Sequence, residues 1–454
     1  MQLDRLSAED VRILDLEAGN IRGHVCKVVV LRPGDACPVP TLDELRAHVD
    51  ARLDAVPRLR RRLLRSPLTA GSSLWIDDEA FDIARHIRAV EEPGLVGPER
   101  LREIVAELMA QRLDRNHPLW RIDVVDAMAD GSIALVWRIH HCLADGTMAM
   151  RLAGALLWAA TPDVAALPAS RWRPAKAPGS VALLAHCAVT GFGPAGRRAR
   201  SIVAEARGRP RSRRRARESR EAVRRDFART AKPTPLDCSG GPARQVAFAS
   251  APFADCHSAA KAIDPAVTIN DVVLAAVAGG MRAWLEHRGL PEQGIPVKVP
   301  VSLHVAGGDD AAANRDSYFI VDLPVGEAGI AERLLALNRE TTERKRLHDA
   351  EAISAATTRR SVARRAMSPR VFTLNVSNVP GPRNDVYVLG CRVCELYSVA
   401  DIAEHHALRV AAISAAGMLT FGLCADRDAV DDVEVVAEGI GASLHDLVAR
   451  ASSS

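Results

Sequence analysis

Apolar positions along the 454-residue chain recur at two periods, one near two residues, as in strands, and one near 3.6, as in helices. HVCKVVVLRPG (24–34) predicts a strand running into a turn, and TLDELRAHVDARLDAVPRLRRRLL (41–64) an amphipathic helix stopped near Pro57. PERLREIVAELMAQRLDR (98–115) predicts a second helix, with Leu101, Ile104, Leu108 and Leu113 on its apolar side. SIALVWRIHH (132–141) predicts a strand and residues 147–160 an apolar helix after it. RWRPAKAPG (171–179) reads as a linker. Beyond it, ARQVAFAS (243–250) predicts a strand, and TINDVVLAAVAGGMRAWLEHRG (268–289) a buried helix capped near Asn270 and ended by Gly289. Strands follow at 296–304, 317–325, 372–379 and 417–424, the third closing in the turn SNVPGP. No short repeat is present.

Mixed strands and helices in both halves give an α/β (mixed α+β) class, and the length favours two domains over one. The boundaries expected are 1–175, a connector at 176–235, and 236–454. Composition is that of a globular protein, with 48% hydrophobic and 26% charged residues. The net charge of +4 conceals one basic segment, since 14 arginines face four acidic residues between Arg197 and Arg229. That segment reads as a solvated crossover, or as a surface attracted to anionic lipid. Nucleic acid is not expected, because no stacking aromatics accompany the charge.

Nine scattered cysteines form no paired framework, which points to a reducing compartment. Cys391 and Cys394 make a CxxC, but no second pair or spaced histidine completes a zinc site, so no metal is expected. The first 20 residues lack a signal-peptide core, and no run of 18 uncharged apolar residues would span a membrane.

The chemistry concentrates in HHCLADG (140–146), between a predicted strand and a predicted helix. Strand alternation puts His141 on the face of Leu135, Trp137 and Ile139, and His140 on that of Arg138. Two histidines on opposite faces do not share one metal. A neutral imidazole at the end of an apolar face suits a general base, since its ordinary pKa lies near working pH. Asp145 suits an N-cap or a brace paired with an arginine, and Gly146 permits the tight entry to the helix. Cys142 is the one tempting nucleophile nearby, but alternation turns it away. His405 and His406 lack the Asp-Gly and read as surface or structural.

With LSAEDVRILDLE, LDRNHPLW (113–120), TINDVVLAAVAGGMRAWL (268–285), VPVSLH (299–304), SNVPGP (377–382) and LTFGLCADRDAVDDVE, the motif resembles the bacterial wax ester synthase/diacylglycerol acyltransferase family over nearly the whole chain. The resemblance implies two chloramphenicol-acetyltransferase-like domains side by side with a tunnel between them. It implies His141 as catalytic base, His140 as its structural neighbour and Asp145 as the brace, supported by Gly146. Pro118, Leu119 and Trp120 match the block near the acyl pocket, Asn270 and Asp271 a motif facing the tunnel, and Ser377 and Asn378 belong to a further tunnel block.

The activity implied is direct transfer of a long-chain acyl group to diacylglycerol, or to a fatty alcohol. Acyl-CoA is the co-substrate, no cofactor takes part, and contact with membrane or lipid droplets is peripheral, on a cytoplasmic protein. Two blocks depart from the family, the first of them lacking the usual Ser-Pro. Where Ser-Tyr-x-Gly is usual, the chain reads Ser414-Ala415-Ala416-Gly417. That motivates a second reading, an acyltransferase of the same fold acting on a secondary-metabolite alcohol or amine. A third, motivated by the arginine segment, is a lipid-surface protein without catalysis.

Overall fold

The structure is a computed structural model that describes residues 4–17, 19–34, 38–65, 73–162, 170, 172–184, 213–227, 232–238, 240–302, 316–357, 362 and 365–452. Residues 197–212 and 228–229 of the arginine segment, Arg171 of the expected linker, and Leu303 and His304 of an expected strand lie outside them. The chain divides into two compact units, 1–204 with 384–396, and 205–383 with 397–454.

In the first unit the order is β1 (Asp4–Arg5), α1 (Ala8–Leu16), β2 (His24–Arg32), α2 (Leu42–Arg52), β3 (Arg61–Arg65), β4 (Ser73–Asp77), α3 (Ile83–His86), β5 (Ile87–Ala89), α4 (Pro98–Ala110), β6 (Trp120–Val125), β7 (Ile133–His140) and α5 (Gly146–Leu156). Capping boxes start α1 at Ser7/Asp10 and α2 at Thr41/Glu44. The helix expected to stop near Pro57 ends at Arg52. Two 3₁₀ turns follow, the second opening on Pro57, and Arg61–Arg65 extends to pair with β4 in a small sheet.

The unit's main sheet places β2 and β7 at its centre, antiparallel, with β6 on the other side of β7. Every residue of β7 is buried, so both of its faces are covered and it is apolar from Ile133 to Trp137, with the buried Arg138 paired to Asp123. Residues Cys391–Leu396, the first part of a strand that runs to Ala400, belong to this unit. Cys391 and Cys394 donate their thiols to the carbonyls of Pro38 and Val30.

The second unit contains α6 (Arg213–Phe227), β8 (Arg244–Pro252), α7 (Phe253–Ile263), α8 (Ile269–His287), β9 (Ile295–Ser302), β10 (Asp316–Leu323), α9 (Ile330–Arg346), α10 (Asp349–Thr357), β11 (Leu374–Pro380), β14 (Leu408–Ala415), β15 (Met418–Asp426) and α11 (Val433–Ser452). Strands β12 (Tyr387–Val388) and β13 (Cys391–Ala400) lie between β11 and β14 in the chain. The six-stranded sheet runs β10-β9-β11-β14-β15-β8, with β11 parallel to both of its neighbours. One face packs on α8 and α11. The Gly-Gly of α8 is explained by this packing: a Cβ on Gly280 would stand 2.5 Å from the Val436 carbonyl, and one on Gly439 would stand 2.9 Å from the Gly280 Cα. Helices α8 and α11 therefore approach backbone to backbone.

The arginine-rich helix α6 is tied down on its inner side. Asp226, fully buried, accepts from Arg344 of α9 at 2.6 Å, and Arg344 also reaches Asp349 at 2.9 Å and the Ile320 carbonyl at 2.6 Å. Arg217, Arg220 and Arg224 are exposed on the outer side.

Candidate active site

Strand β7 delivers HHCLADG to its open end. His140 is its last residue, with its N–H on the Leu119 carbonyl at 3.0 Å, and His141 continues the ladder to β2 through the Gly23 carbonyl at 2.9 Å. The turn then winds back on His140, whose carbonyl accepts from Leu143 (2.8 Å) and Ala144 (3.2 Å). Asp145 ends it as N-cap of α5, accepting the Met148 N–H at 2.7 Å. That one cap fixes both the end of the turn and the start of the helix.

The two histidines have different surroundings. His140 is 1% exposed, its Nδ1 accepts the Cys142 N–H at 3.1 Å, and its Nε2 lies 3.1 Å from Glu17 Oε2. These partners assign the ring as the Nε2–H tautomer, donating to Glu17. His141 is only half-buried. Cys142 is fully buried, and desolvation together with the charge of Asp10 pushes its thiol well above the ordinary range, so no ready thiolate exists there. Arg58, lying over Trp75, donates to the Cys142 carbonyl at 3.3 Å and holds the turn from outside.

Glu17 and Lys27 were not legible as site residues in the sequence. Glu17 closes α1 with its side chain 3% exposed. Burial opposes its charge, but hydrogen bonds from His140 and Arg115 outweigh that and hold its carboxyl below the usual carboxylate range. Lys27 is fully buried on β2, on the Trp137 side of the β2–β7 ladder. Burial pushes its ammonium down to about 8, with Cys26 and then Asp145 opposing the shift. Asp145 is thus one of the charges that bear on Lys27.

A lysine held near 8 in the fold and near 10.5 when unfolded binds fewer protons in the native state between those values. Its contribution to stability is therefore lowest below pH 8 and recovers as pH rises toward 10.5, by about 3 kcal/mol in all. Urea midpoints of wild type and Lys27→Met, compared at pH 7 and pH 10, should show the wild type gaining on the variant at the higher pH. A constant difference would contradict the assignment.

Pro118, Leu119 and Trp120 lie directly beneath the motif, all three buried, with Trp120 opposite Ile139 in the β6–β7 register. The Trp120 indole donates to the Leu59 carbonyl at 2.7 Å and stacks on His86 at 4.5 Å. Packing is what this block visibly does, and its Leu119 carbonyl also holds the His140 backbone.

In the second unit the cap of α8 is Thr268, not Asn270. Asp271, fully buried, accepts from the Thr268 N–H and hydroxyl at 2.8 Å each, from Asn338 at 2.9 Å and from Thr341 at 2.7 Å, so it fastens α8 to α9. Asn270, beside it, is half-buried, as are Ser377 and Asn378 on β11. The departing block Ser414–Gly417 forms the end of β14 and its hairpin turn, with Ala416 and Gly417 both at positive φ. There the Ser414 carbonyl accepts from Gly381 of SNVPGP at 2.9 Å.

His406 is buried, stacked on Phe372 at 4.0 Å with Nδ1 at 3.1 Å from the Thr373 carbonyl, a structural residue, while His405 is half-buried. Among the described residues no cluster of three or more His, Cys, Asp or Glu could hold a metal ion, and no helix is long and apolar enough to cross a membrane.

Comparison with known proteins bears on this site as a whole. The family model described as wax ester synthase/diacylglycerol acyltransferase catalytic domain matches residues 6–273, and that of the WS/DGAT C-terminal domain matches 312–448. The chain is 29% identical over 460 residues to a probable diacylglycerol O-acyltransferase of Mycobacterium tuberculosis, covering 96% of this chain and 94% of that one. It is 30% identical over 471 residues to a putative diacylglycerol O-acyltransferase of Mycobacterium bovis, covering 98% and 90%. In fold it is similar to the wax ester synthase/diacylglycerol acyltransferase from Marinobacter aquaeolei VT8, with a TM-score of 0.73 at 21% identity, over 99% of this chain and all of that one.

Proposed function

Since this chain belongs to the wax ester synthase/diacylglycerol acyltransferase family, we propose that it transfers a long-chain acyl group from acyl-CoA to diacylglycerol, and also to fatty alcohols, with His141 as general base. The observation that carries the assignment is the contrast between the two histidines. Both ring nitrogens of His140 are committed, to the Cys142 N–H and to Glu17, whereas His141 stands half-buried where strand gives way to turn.

In the proposed step His141 takes the proton of the acceptor hydroxyl as its oxygen attacks the thioester carbonyl. The tetrahedral adduct collapses, the C–S bond breaks, and the CoA sulfur leaves with the proton that His141 returns. Acyl-CoA is the co-substrate, and the reaction as proposed needs neither metal nor covalent acyl-enzyme. Asp145 acts by fixing the turn, with Gly146 at the helix entry. Pro118, Leu119 and Trp120 support the acyl pocket from below, and Asn270, Ser377 and Asn378 belong to the acyl path, with Asp271 holding the helix of Asn270.

The test is thiol release from palmitoyl-CoA with diacylglycerol, hexadecanol or no acceptor. Release that depends on either lipid supports the proposal. Release only with a polyketide-like alcohol or an amine would transfer it to the second reading, for which the altered Ser414–Gly417 turn speaks. No release with any acceptor would leave only the lipid-surface reading.

Peripheral contact of a cytoplasmic enzyme with membrane or lipid droplets, through the arginine-rich segment 197–229, is part of the proposal. It is supported by the outward arginines of α6, each of which adds about 1 kcal/mol at an anionic surface. Vesicles containing phosphatidylserine should retain the protein at low salt and release it at high salt. Equal retention on pure phosphatidylcholine would contradict it.

A further inference from the structure

Three blocks that stand far apart in the sequence converge on one buried carboxylate. Glu17 Oε1 accepts from Arg112 at 2.9 Å, while Oε2 accepts from Arg115 Nε at 3.0 Å and from His140 Nε2 at 3.1 Å. The opening block LSAEDVRILDLE ends on Glu17, LDRNHPLW supplies Arg115, and HHCLADG supplies His140. Arg115 also reaches the Leu14 carbonyl at 3.2 Å, so the end of α1 is held to this segment by backbone as well as side chain. Gly23, at φ +68°, passes directly over the contact: a Cβ there would stand 3.0 Å from His140 Nε2 and 3.5 Å from Glu17 Cβ. The backbone is thus left bare where the pair needs room, and the same Gly23 holds the His141 N–H.

We infer that Glu17 is a positioning residue for the acyl transfer, acting through His140 to set the backbone turn that presents His141. The inference rests on the proposed role of His141. Its logic is a chain of single contacts. Glu17 accepts the Nε2 proton, which leaves the Nδ1 lone pair directed at the Cys142 N–H. That bond closes the turn together with the Leu143 and Ala144 amides, which bind the His140 carbonyl. With Glu17 gone, the ring has no acceptor at Nε2 and its flipped or Nδ1–H forms compete. The Cys142 amide loses its partner, and His141 loses the fixed backbone on which its aim depends. Arg112 and Arg115 are partly solvent-exposed and keep the Gly19 and Leu14 carbonyls as acceptors, so the fold survives the change while the aim does not.

The test compares Glu17→Met, similar in length but without an acceptor, with Glu17→Gln, which keeps one oxygen for His140. Two readouts are taken on the full-length protein. One is acceptor-dependent thiol release. The other is the ¹⁵N spectrum of histidine-labelled protein, in which His140 is assigned by its loss in His140→Gln and its tautomer is read from the ring nitrogen shifts.

Wild type should show the Nε2–H form. Glu17→Met should show a mixture, with kcat lowered on the order of 10- to 100-fold, as small misplacements of reacting groups cause, and KM for palmitoyl-CoA nearly unchanged. Glu17→Gln should recover most of kcat and the wild-type tautomer. An Nδ1–H form in the wild type overturns the inference. So does a Glu17→Met protein with unchanged tautomer and kcat, or a Glu17→Gln protein as impaired as Glu17→Met. If Glu17→Met does not fold, the wild-type spectrum and Glu17→Gln decide. Absence of acceptor-dependent release in the wild type counts against the transferase reading alone, and the tautomer then decides the Glu17–His140 contact independently.

Discussion

Replacing His141 with alanine should lower acceptor-dependent thiol release by about 10²- to 10⁴-fold, the range over which a positioned general base contributes. The urea midpoint should hardly move, because the side chain is half-buried and the ladder bond to Gly23 comes from the His141 backbone. His140→Ala should behave differently. It removes a fully buried ring that bridges Glu17 and the Cys142 amide, so stability and rate fall together. Parallel kinetics and urea titrations of the two variants check this, and a His141→Ala protein with wild-type turnover would remove the base from the mechanism.

Arg344→Ala should destabilise the protein by about 3 kcal/mol, because it leaves the fully buried Asp226 carboxylate without its arginine, while Asp349 keeps Arg225. Burial already pushes Asp226 up from its ordinary value, opposed by Arg344, so removing that cation leaves the carboxyl far costlier to ionise. The Arg344 fork also holds the Ile320 carbonyl of β10, which a lysine could not do while spanning both acids. Arg344→Lys should therefore fall between wild type and alanine. Urea unfolding followed by circular dichroism reads the series, and a loss under about 1 kcal/mol for the alanine variant would show that the network does not anchor α6.

Much of the site's framework was legible because it depends on local signals. The run before HHCLADG, apolar except for Arg138, is read as a strand, and Asp145 before Gly146 as a cap, since both follow from residues within one turn of each other. The 41–64 stretch misled for the converse reason. Its helix was expected to run to Pro57 but ends at Arg52, and Arg61–Arg65, read only as basic chain, takes its structure from pairing with Ser73–Asp77, which no local pattern announces.

Asn270 looked like a cap because it precedes an apolar run. The cap is two residues earlier because Asp271 folds back to Thr268 and is itself claimed by Asn338 and Thr341, about 70 positions away. Glu17 was hidden by distance in the same way. In the sequence it is one acidic residue in a polar N-terminal stretch, and only the fold brings it to a histidine 123 positions away. Lys27, inside a strand of valines, was the one available local hint, since a lysine at a fully covered position has to find an electrostatic reason to be there.

The central claim, acyl transfer from CoA to a lipid alcohol by the His141 base, is tested most directly by following the acyl group itself. Radiolabelled palmitoyl-CoA and dioleoylglycerol are incubated with the wild type and with His141→Ala, and the products are separated by thin-layer chromatography. The account expects label in triacylglycerol with the wild type and its loss in the variant. Label appearing as free palmitate, or equal triacylglycerol from both proteins, would contradict it.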